Sequence, residues 1–223
     1  MPTIFITGAG RGIGLELARV YAASGYHVIA SVRNIAEAKS VLSFAELIEL
    51  EVTDPTSVAA LHKFMETKTI DVLINNAGII GPDAQSTTDM DFDGFMKTLE
   101  VNTVAPLRIV QALLPALKRG TKPKLATVSS LMGSLSYAPS DRVAYRASKA
   151  AANKVIQCLA TDFKPLGIAV ASLHPGWVRT DMGGSDPDID VKTSAAGIKS
   201  VMDKLSLATT GRFWNYDGRK LDW

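Results

Sequence analysis

The sequence contains one cysteine, Cys158, and only three histidines, which lie far apart at positions 27, 62 and 174. A single cysteine cannot form an internal disulfide, and neither residue type shows the clustered spacing of a metal site. No apolar run approaches the roughly 20 residues that a membrane span needs. The first residues also lack the basic segment and cleavage site of a secretory signal. We therefore expect a cytoplasmic protein with no membrane contact and no bound metal.

An excess of charge of one sign is also lacking. The chain has 24 basic and 22 acidic residues, a formal net charge of +2, and its lysines and arginines are scattered. A nucleic-acid-binding protein concentrates positive charge on one patch or stripe, so no nucleic-acid partner is expected. The sequence has no repeat, low-complexity tract or linker-like run. A chain of 223 residues without such a boundary predicts a single domain, residues 1–223.

Short apolar runs alternate with helical patterns along the whole chain. The runs occupy residues 3–7, 26–32, 45–50, 70–75, 124–129 and 168–174, with a short last run from 211. The helical stretches are 13–24, 36–42, 55–67, 92–118, 143–164 and 193–205. This alternation predicts an α/β fold, a Rossmann-type doubly wound parallel sheet of about seven strands with helices on both faces. Ligands of such sheets bind at the carboxyl ends of the strands, so functional residues are expected just after each run.

The first run is followed by a glycine-rich stretch, "TGAGRGIG", at residues 7–14. Glycine at a strand–helix junction lets the backbone approach a pyrophosphate, which the N–H groups of the following helix can bind. The alternative is a tight turn that merely uses glycine, but Gly8, Gly10, Gly12 and Gly14 fall within seven residues. The spacing G-x-x-x-G-x-G predicts a dinucleotide site here, with Ile13 beside the cofactor.

The second run is followed by Val32 and Arg33, where an NAD-selective protein usually has a carboxylate for the ribose 2′-hydroxyl. Arg33, or Arg11 in the glycine turn, could instead pair with a 2′-phosphate. We therefore expect NADP(H) as the cofactor, in preference to NAD(H). The alternative is that both arginines are ordinary surface residues.

Polar residues also follow the third and fourth runs. Glu51 could accept a hydrogen bond from an adenine amino group, whereas Asp54, before Pro55, has the pattern of a helix N-cap. The fourth run ends in "NNAG", whose asparagines could satisfy backbone groups of neighbouring turns and whose Gly78 could let the chain pass close to a ligand. Asn102 lies in a helical pattern, where asparagine is mildly unfavourable, which suggests a buried polar role.

The fifth run ends in Ser129 and Ser130, and Tyr145 and Lys149 follow in a helical pattern. No G-x-S-x-G motif surrounds the serines, so a hydrolase nucleophile is not expected. Residues four apart share one face of a helix. A positive charge close to a phenol lowers the phenol's pKa and makes it a usable general acid or base. The alternative is a tyrosine ring packed on a lysine stem, but the preceding serines and glycine turn favour catalysis.

The motifs "TGAGRGIG", "NNAG", Asn102, "VSS", "YRASK" and "HPGWVRTDM" occur in one characteristic order along the chain. In this the sequence resembles the short-chain dehydrogenases/reductases in their single-domain form. Its last residues are similar to those of the C-factor signalling proteins and sniffer-type carbonyl reductases. The resemblance implies NADP(H)-dependent reduction of an aldehyde or ketone, or the reverse oxidation of an alcohol.

The resemblance also implies a role for each matching residue. Tyr145 would donate a proton to the carbonyl oxygen, and Lys149 would lower its pKa and hold the nicotinamide ribose. Ser130 would hydrogen-bond the carbonyl oxygen, and Asn102 would fix a helix backbone and a water leading to Lys149. The other implied cofactor contacts are Val52, Asn75, Ala77, Gly78, Pro175, Gly176, Val178 and Thr180.

Three features depart from the family pattern. Ser130 lies two residues further from Tyr145 than is usual, with Met132 at the usual position and Ser134 as the alternative serine. Glu51 stands where the family commonly has aspartate. The segment 181–193, which normally covers the substrate, is short. We expect it to form only a modest lid over a wide pocket.

Two other functions remain open from the sequence. A nucleotide-binding signalling or regulatory protein would need no catalytic tyrosine, and an epimerase or dehydratase of nucleotide sugars would normally need a larger C-terminal domain. The helices at 92–118 and 143–164 are apolar on more than one face. By the resemblance they would form a homodimer or homotetramer, although burial against the sheet explains the same pattern.

Overall fold

The computed structural model describes residues 1–183 and 188–223, and these residues form one eight-stranded sheet. Its order is β3-β2-β1-β4-β5-β6-β7-β8; the first seven strands are parallel to their neighbours and β8 is antiparallel to β7. The expected doubly wound parallel sheet is therefore present. The strands are β1 Thr3–Ile6, β2 His27–Val32, β3 Glu46–Glu49, β4 Val72–Asn75, β5 Lys124–Val128, β6 Ala169–His174, β7 Arg212–Asn215 and β8 Lys220–Leu221.

The antiparallel strand β8 is the element that the alternation of runs did not predict. It follows a tight turn in which the Gly218 N–H donates to the Asn215 carbonyl, with Gly218 at φ +89°. Asp217-Gly218 is a common hairpin signal, and glycine adopts this positive φ without steric cost. A two-residue strand has no apolar run of its own, so only the turn residues indicate it.

Seven α-helices cover the sheet in the described residues. They are α1 Gly12–Ala23, α2 Ile35–Ala38, α3 Pro55–Phe64, α4 Phe92–Leu99, α5 Ala105–Lys118, α6 Val143–Phe163 and α7 Val191–Lys204. The predicted helix 92–118 is thus two helices, joined by a π-helical turn, Glu100–Val104. Pro106, in the first turn of α5, has no N–H to donate, so one α-helical hydrogen bond is missing at this junction. None of the helices in residues 1–183 and 188–223 is long and apolar enough to cross a membrane.

Alternating strand residues build a core on each side of the sheet. Ile4 and Ile6 pack into a cluster that includes residues of α1 and α7, whereas Phe5 points to the other face, into a cluster with α3, α5 and α6. All three side chains are fully buried, and each such burial contributes about 1.5–3 kcal/mol. The two cores hold the strands rigidly, so that their carboxyl ends form a fixed edge for the site.

The entry to α3 confirms the role that the sequence predicts for Asp54. Its carboxylate accepts hydrogen bonds from the Thr56 and Ser57 N–H groups at 3.1 and 3.0 Å, and Pro55 is the first helical residue. Asp54 is therefore a structural cap.

Candidate active site

The glycine turn after β1 presents bare backbone. Gly8 and Gly12 have φ angles of +65° and +54°, in the left-handed region that other residues adopt at a cost. A Cβ on Gly14 would lie 2.4 Å from the Gly8 carbonyl oxygen. Helix α1 starts at Gly12 with no side-chain cap and no acidic residue in its first turn. These N–H groups, with the positive end of the helix dipole, suit an anion such as a pyrophosphate.

Residues after β4 hold this turn in place. The Thr7 hydroxyl accepts hydrogen bonds from the N–H groups of Asn76 and Ala77 at 2.9 and 3.0 Å. The Asn76 amide donates to the carbonyls of Thr7 and Gly8, each at 3.0 Å. The asparagine that satisfies the neighbouring turn is therefore Asn76. Asn75 is buried and donates to the Pro106 carbonyl at 3.3 Å, so a nucleotide could meet it only through its backbone.

The segment after β6 packs against the glycine turn. The Thr180 methyl group lies 3.5 Å from the position that a Cβ on Gly12 would occupy. Gly176, at φ +85°, follows Pro175, and Val178 is buried and bridges to Ile189. The structure thus brings this predicted cofactor-lining segment beside the predicted pyrophosphate turn. The centre of the predicted lid, residues 184–187, lies outside the described residues.

The two arginines predicted to select the cofactor lie at the surface. Arg11 forms an ion pair with Asp181 at 2.5 Å, with both side chains about three-quarters exposed (74% and 78%). Arg33 is exposed directly after β2, and the next residue, Asn34, caps α2 by accepting from the Ala36 N–H at 3.0 Å. This edge of the site is therefore open to solvent and offers positive charge.

Glu51, predicted to contact adenine, turns back onto its own loop. Its carboxylate accepts hydrogen bonds from the Thr53 hydroxyl and N–H at 2.9 and 3.2 Å, and the residue is exposed. The neighbouring Val52 is buried. To contact adenine, the Glu51 carboxylate would have to give up or share its hydrogen bonds from Thr53. The contact with adenine stays a prediction.

Tyr145 and Lys149 lie one turn apart on α6 and are both buried, with 8% and 5% of their surfaces exposed. The Lys149 ammonium is 5.7 Å from the centroid of the Tyr145 ring and donates to the Val128 carbonyl at the end of β5, at 2.8 Å. Burial of a polar pair is costly without such partners. The arrangement therefore places a phenol and an ammonium together at the carboxyl edge of the sheet.

The pKa of the phenol differs from the sequence-based expectation. Burial raises the pKa of Tyr145, and the Ser130 side chain and the Arg142 charge offset that rise only in part. Burial also lowers the pKa of Lys149, to about 8. Lys149 was expected to pull the phenol's pKa down, but desolvation of Tyr145 is the largest effect here. Tyr145 is thus held protonated at neutral pH, the form that a proton donor needs.

Ser130 lies two residues after the end of β5, at the start of the segment that leads to α6. Its hydroxyl oxygen accepts from the Met132 N–H at 3.2 Å, which caps a short 3₁₀ turn, Leu131–Gly133. The alternative serine, Ser134, is hydrogen-bonded to Ser136 at 2.9 Å. The Ser130 side chain lowers the pKa of Tyr145 through a hydrogen bond, and Ser134 is not among the groups that do so, so Ser130 stays the predicted serine. That the two additional residues lie in the loop leading to α6 stays a prediction.

Two residues outside the predicted set hold this turn. The His174 Nδ1 atom accepts from the Leu131 N–H at 3.1 Å, and Asn153 donates to the Gly133 carbonyl at 3.2 Å. Burial lowers the pKa of His174 to about 4, so the imidazole is neutral and its Nδ1 can accept. The sequence signal for His174 was its place at the end of a predicted strand; Asn153 gave none.

Asn102 occupies the π-helical turn and is fully buried. Its side-chain oxygen accepts from the Ile79 N–H at 2.9 Å, and its amide donates to the Ile79 carbonyl at 2.8 Å and to the Ser148 hydroxyl at 2.9 Å. A Cβ on Gly78 would lie 3.1 Å from the Asn102 oxygen and 3.5 Å from the Lys149 nitrogen. Asn102 therefore fastens the segment after β4 to α6, next to Lys149.

A cavity of about 470 Å³ adjoins the start of α6. It is lined by residues 80 and 82–86 of the loop after β4, by Asp89, and by Asp141 and Arg142 directly before the helix. The cavity is open to solvent and large enough for a small organic molecule.

Known proteins show the same architecture. The model of the short chain dehydrogenase family matches residues 2–189. The C-signal protein of Myxococcus xanthus is 42% identical over 159 residues, which cover 70% of this chain and 95% of that protein. Among solved structures, an NADPH-bound carbonyl reductase from chicken fatty liver superposes with a TM-score of 0.91 at 31% identity, covering 100% and 99% of the two chains. The carbonyl reductase Sniffer of D. melanogaster superposes with a TM-score of 0.89 at 33% identity, covering 100% of each chain.

Proposed function

Since this chain belongs to the short chain dehydrogenase family, we propose that it is an NADP(H)-dependent oxidoreductase that reduces the carbonyl group of an aldehyde or ketone. The observation that carries the proposal is the buried pair of Tyr145 and Lys149 beside Ser130, at the edge where the glycine turn lies. Two of the similar structures are an NADPH-bound carbonyl reductase and the carbonyl reductase Sniffer, which supports the same chemistry.

The residues of the glycine turn fit a dinucleotide. A side chain at Gly14 would collide with the turn's own backbone, and the uncapped start of α1 leaves its N–H groups available. We assign the pyrophosphate to this turn and the 2′-phosphate to Arg33 and Arg11. We assign the nicotinamide end of the cofactor to the segment Pro175–Thr180 and to Lys149. When bound, the cofactor supplies the two electrons of the reduction as a hydride.

The chain's own residues complete the reaction. Tyr145 carries its proton at neutral pH and transfers it from Oη to the carbonyl oxygen. The Ser130 oxygen already accepts from Met132, so its hydroxyl hydrogen is available to orient the same carbonyl oxygen. Lys149, charged below about pH 8, stabilises the phenolate that Tyr145 becomes. Asn102 keeps the segment after β4 at its distance from Lys149.

The direct test is a reductase assay. Purified protein is mixed with a panel of aldehydes and ketones, with NADPH and NADH in parallel, and the loss of nicotinamide absorbance is followed. We expect turnover of at least one carbonyl, faster with NADPH. Tight NADPH binding without turnover of any carbonyl would contradict the proposal.

That outcome would favour a second candidate, a nucleotide-binding signalling protein. The similarity to the C-signal protein supports it. Burial of Tyr145 and Lys149 argues against it, because a protein that only binds nucleotide gains nothing from desolvating both groups.

We also propose that the whole chain is one domain, that it acts in the cytoplasm, and that it forms a homodimer or homotetramer. Phe92 and Met96 lie one turn apart on α4 and are 73% and 65% exposed, an apolar surface that a second copy could cover. Light scattering of the wild type and of Met96→Glu tests the assembly, since a buried charge should dissociate it.

A further inference from the structure

The start of helix α6 lacks a cap of its own. The residue before it, Arg142, has left-handed backbone (φ 52°) and makes no side-chain cap hydrogen bond. Tyr145 lies in the first turn of this helix, where N–H groups have no intrahelical partner. The orientation of the phenol therefore depends on what satisfies these N–H groups.

Gln85, from the loop after β4, caps this helix end. Its backbone carbonyl accepts from the Val143 N–H at 2.9 Å, and its side-chain oxygen accepts from the Tyr145 N–H at 3.1 Å. The residue is buried, with 8% of its surface exposed. A residue 60 positions away in sequence thus holds the backbone of Tyr145 itself.

The other end of the Gln85 amide is held as well. Its nitrogen donates to the carbonyls of Ile80 and Pro82 at 3.2 and 2.6 Å. A flipped amide would set its oxygen against two carbonyl oxygens and its nitrogen against an N–H, so a single orientation satisfies all three partners. The adjacent Ile79 is clamped by Asn102, so Gln85 is held from an anchored segment.

We infer that Gln85 is a positioning residue for Tyr145: it fixes the first turn of α6, and thereby the phenol, from the loop that lines the cavity. The inference rests on the proposed reductase function. Loss of the cap would let the helix start fray and move Tyr145 out of line with the carbonyl, and a displacement of about 1 Å can lower kcat about 100-fold.

The test uses Gln85→Leu and Gln85→Met, which remove the amide; the unbranched methionine serves should the leucine variant not fold. We expect kcat to fall about 10- to 100-fold while the Kd for NADPH stays unchanged. Thr210→Val is the matched control. The half-buried Thr210 hydroxyl accepts from the Val170 N–H at 2.9 Å, near the amino end of β6 and at the opposite edge of the sheet from the start of α6. It should lower Tm without lowering kcat.

A double-mutant cycle separates positioning from general damage. In a Tyr145→Phe background there is no phenol to position, so Gln85→Leu should lower the residual kcat less than twofold. Equal losses in both backgrounds, or wild-type kcat in Gln85→Leu and Gln85→Met, would overturn the inference and leave the reductase assignment intact.

Hydrogen exchange decides the matter independently of turnover. The Tyr145 amide should exchange faster in Gln85→Leu than in the wild type or Thr210→Val, because its acceptor is the Gln85 side chain. If the wild type reduced no carbonyl, the proposed function would fail, and unchanged exchange at the Tyr145 amide would separately contradict the cap.

Discussion

The two halves of the carboxyl edge are built differently. The proposed catalytic half, around Tyr145, Lys149 and Ser130, is buried and held by hydrogen bonds to the end of β5 and to the loop after β4. The proposed cofactor half consists of bare glycine backbone and exposed side chains such as Arg11 and Arg33. Proton transfer requires groups held in place before the substrate arrives. An anion can be bound by backbone N–H groups and by charges that remain hydrated until it binds.

The largest effect should come from the catalytic half. Tyr145→Phe keeps the ring and its packing but removes the proton donor, and kcat should fall by about 10²–10⁴ with little change in NADPH affinity. Tyr26→Phe, at the start of β2 and far from this edge, is the control and should leave kcat unchanged. Equal kcat values for Tyr145→Phe and the wild type would show that Tyr145 is not the proton donor.

On the cofactor half, Gly14→Ala should weaken NADPH binding about 10- to 100-fold, because a methyl group there requires the turn to move, at a cost of about 1–3 kcal/mol. The new Cβ would lie 2.4 Å from the Gly8 carbonyl oxygen. Gly10→Ala, in the same turn, would place its Cβ 3.7 Å from Val32, an ordinary contact, and should bind NADPH normally. Fluorescence titration measures both, and equal Kd values for the two variants would contradict the tight fit.

The buried turn after Ser130 should make the protein sensitive to acid. The pKa of His174 is lowered from 6.5 to about 4 by burial, so between these pH values the unfolded chain binds a proton that the folded protein does not. The free energy of unfolding therefore falls as the pH drops from about 6.5 to 4, by up to about 3 kcal/mol.

Urea unfolding at several pH values measures this loss. His174→Asn, which cannot titrate, should show a flatter dependence than the wild type. His62→Asn, at an exposed site, controls for the substitution itself. An unchanged slope in His174→Asn would show that other groups dominate the acid response.

The smallest effect should come from the exposed arginine. Arg33→Ala should lower the affinity for NADPH relative to NADH about 10-fold, and the remaining NADPH affinity should depend less on salt. Arg19→Ala, on the exposed part of α1, is the control. If the ratio of the Kd for NADPH to the Kd for NADH does not change, residues of the cofactor half other than Arg33 determine the cofactor preference.

Local patterns predicted the elements well and their ends less well. The parallel strands lie within one or two residues of the apolar runs, because strands buried on both faces need continuous apolar residues. The break between α4 and α5 was not predicted, since a helical period continues through Glu100–Val104 and only Pro106 hints at a change. The strand β8 was not predicted, because two residues are too few to show a periodic pattern.

The sequence by itself determined the alternation of strands and helices, the glycine turn and the shared helix of Tyr145 and Lys149. Each of these follows from residues close together in the chain, through backbone freedom, helix period or strand burial. Only the tertiary structure decided that Asn76 and not Asn75 holds the glycine turn and that Gln85 caps α6. It also raised the pKa of Tyr145 above the expected value. These outcomes depend on partners tens of residues away and on exclusion of water, which no local pattern encodes.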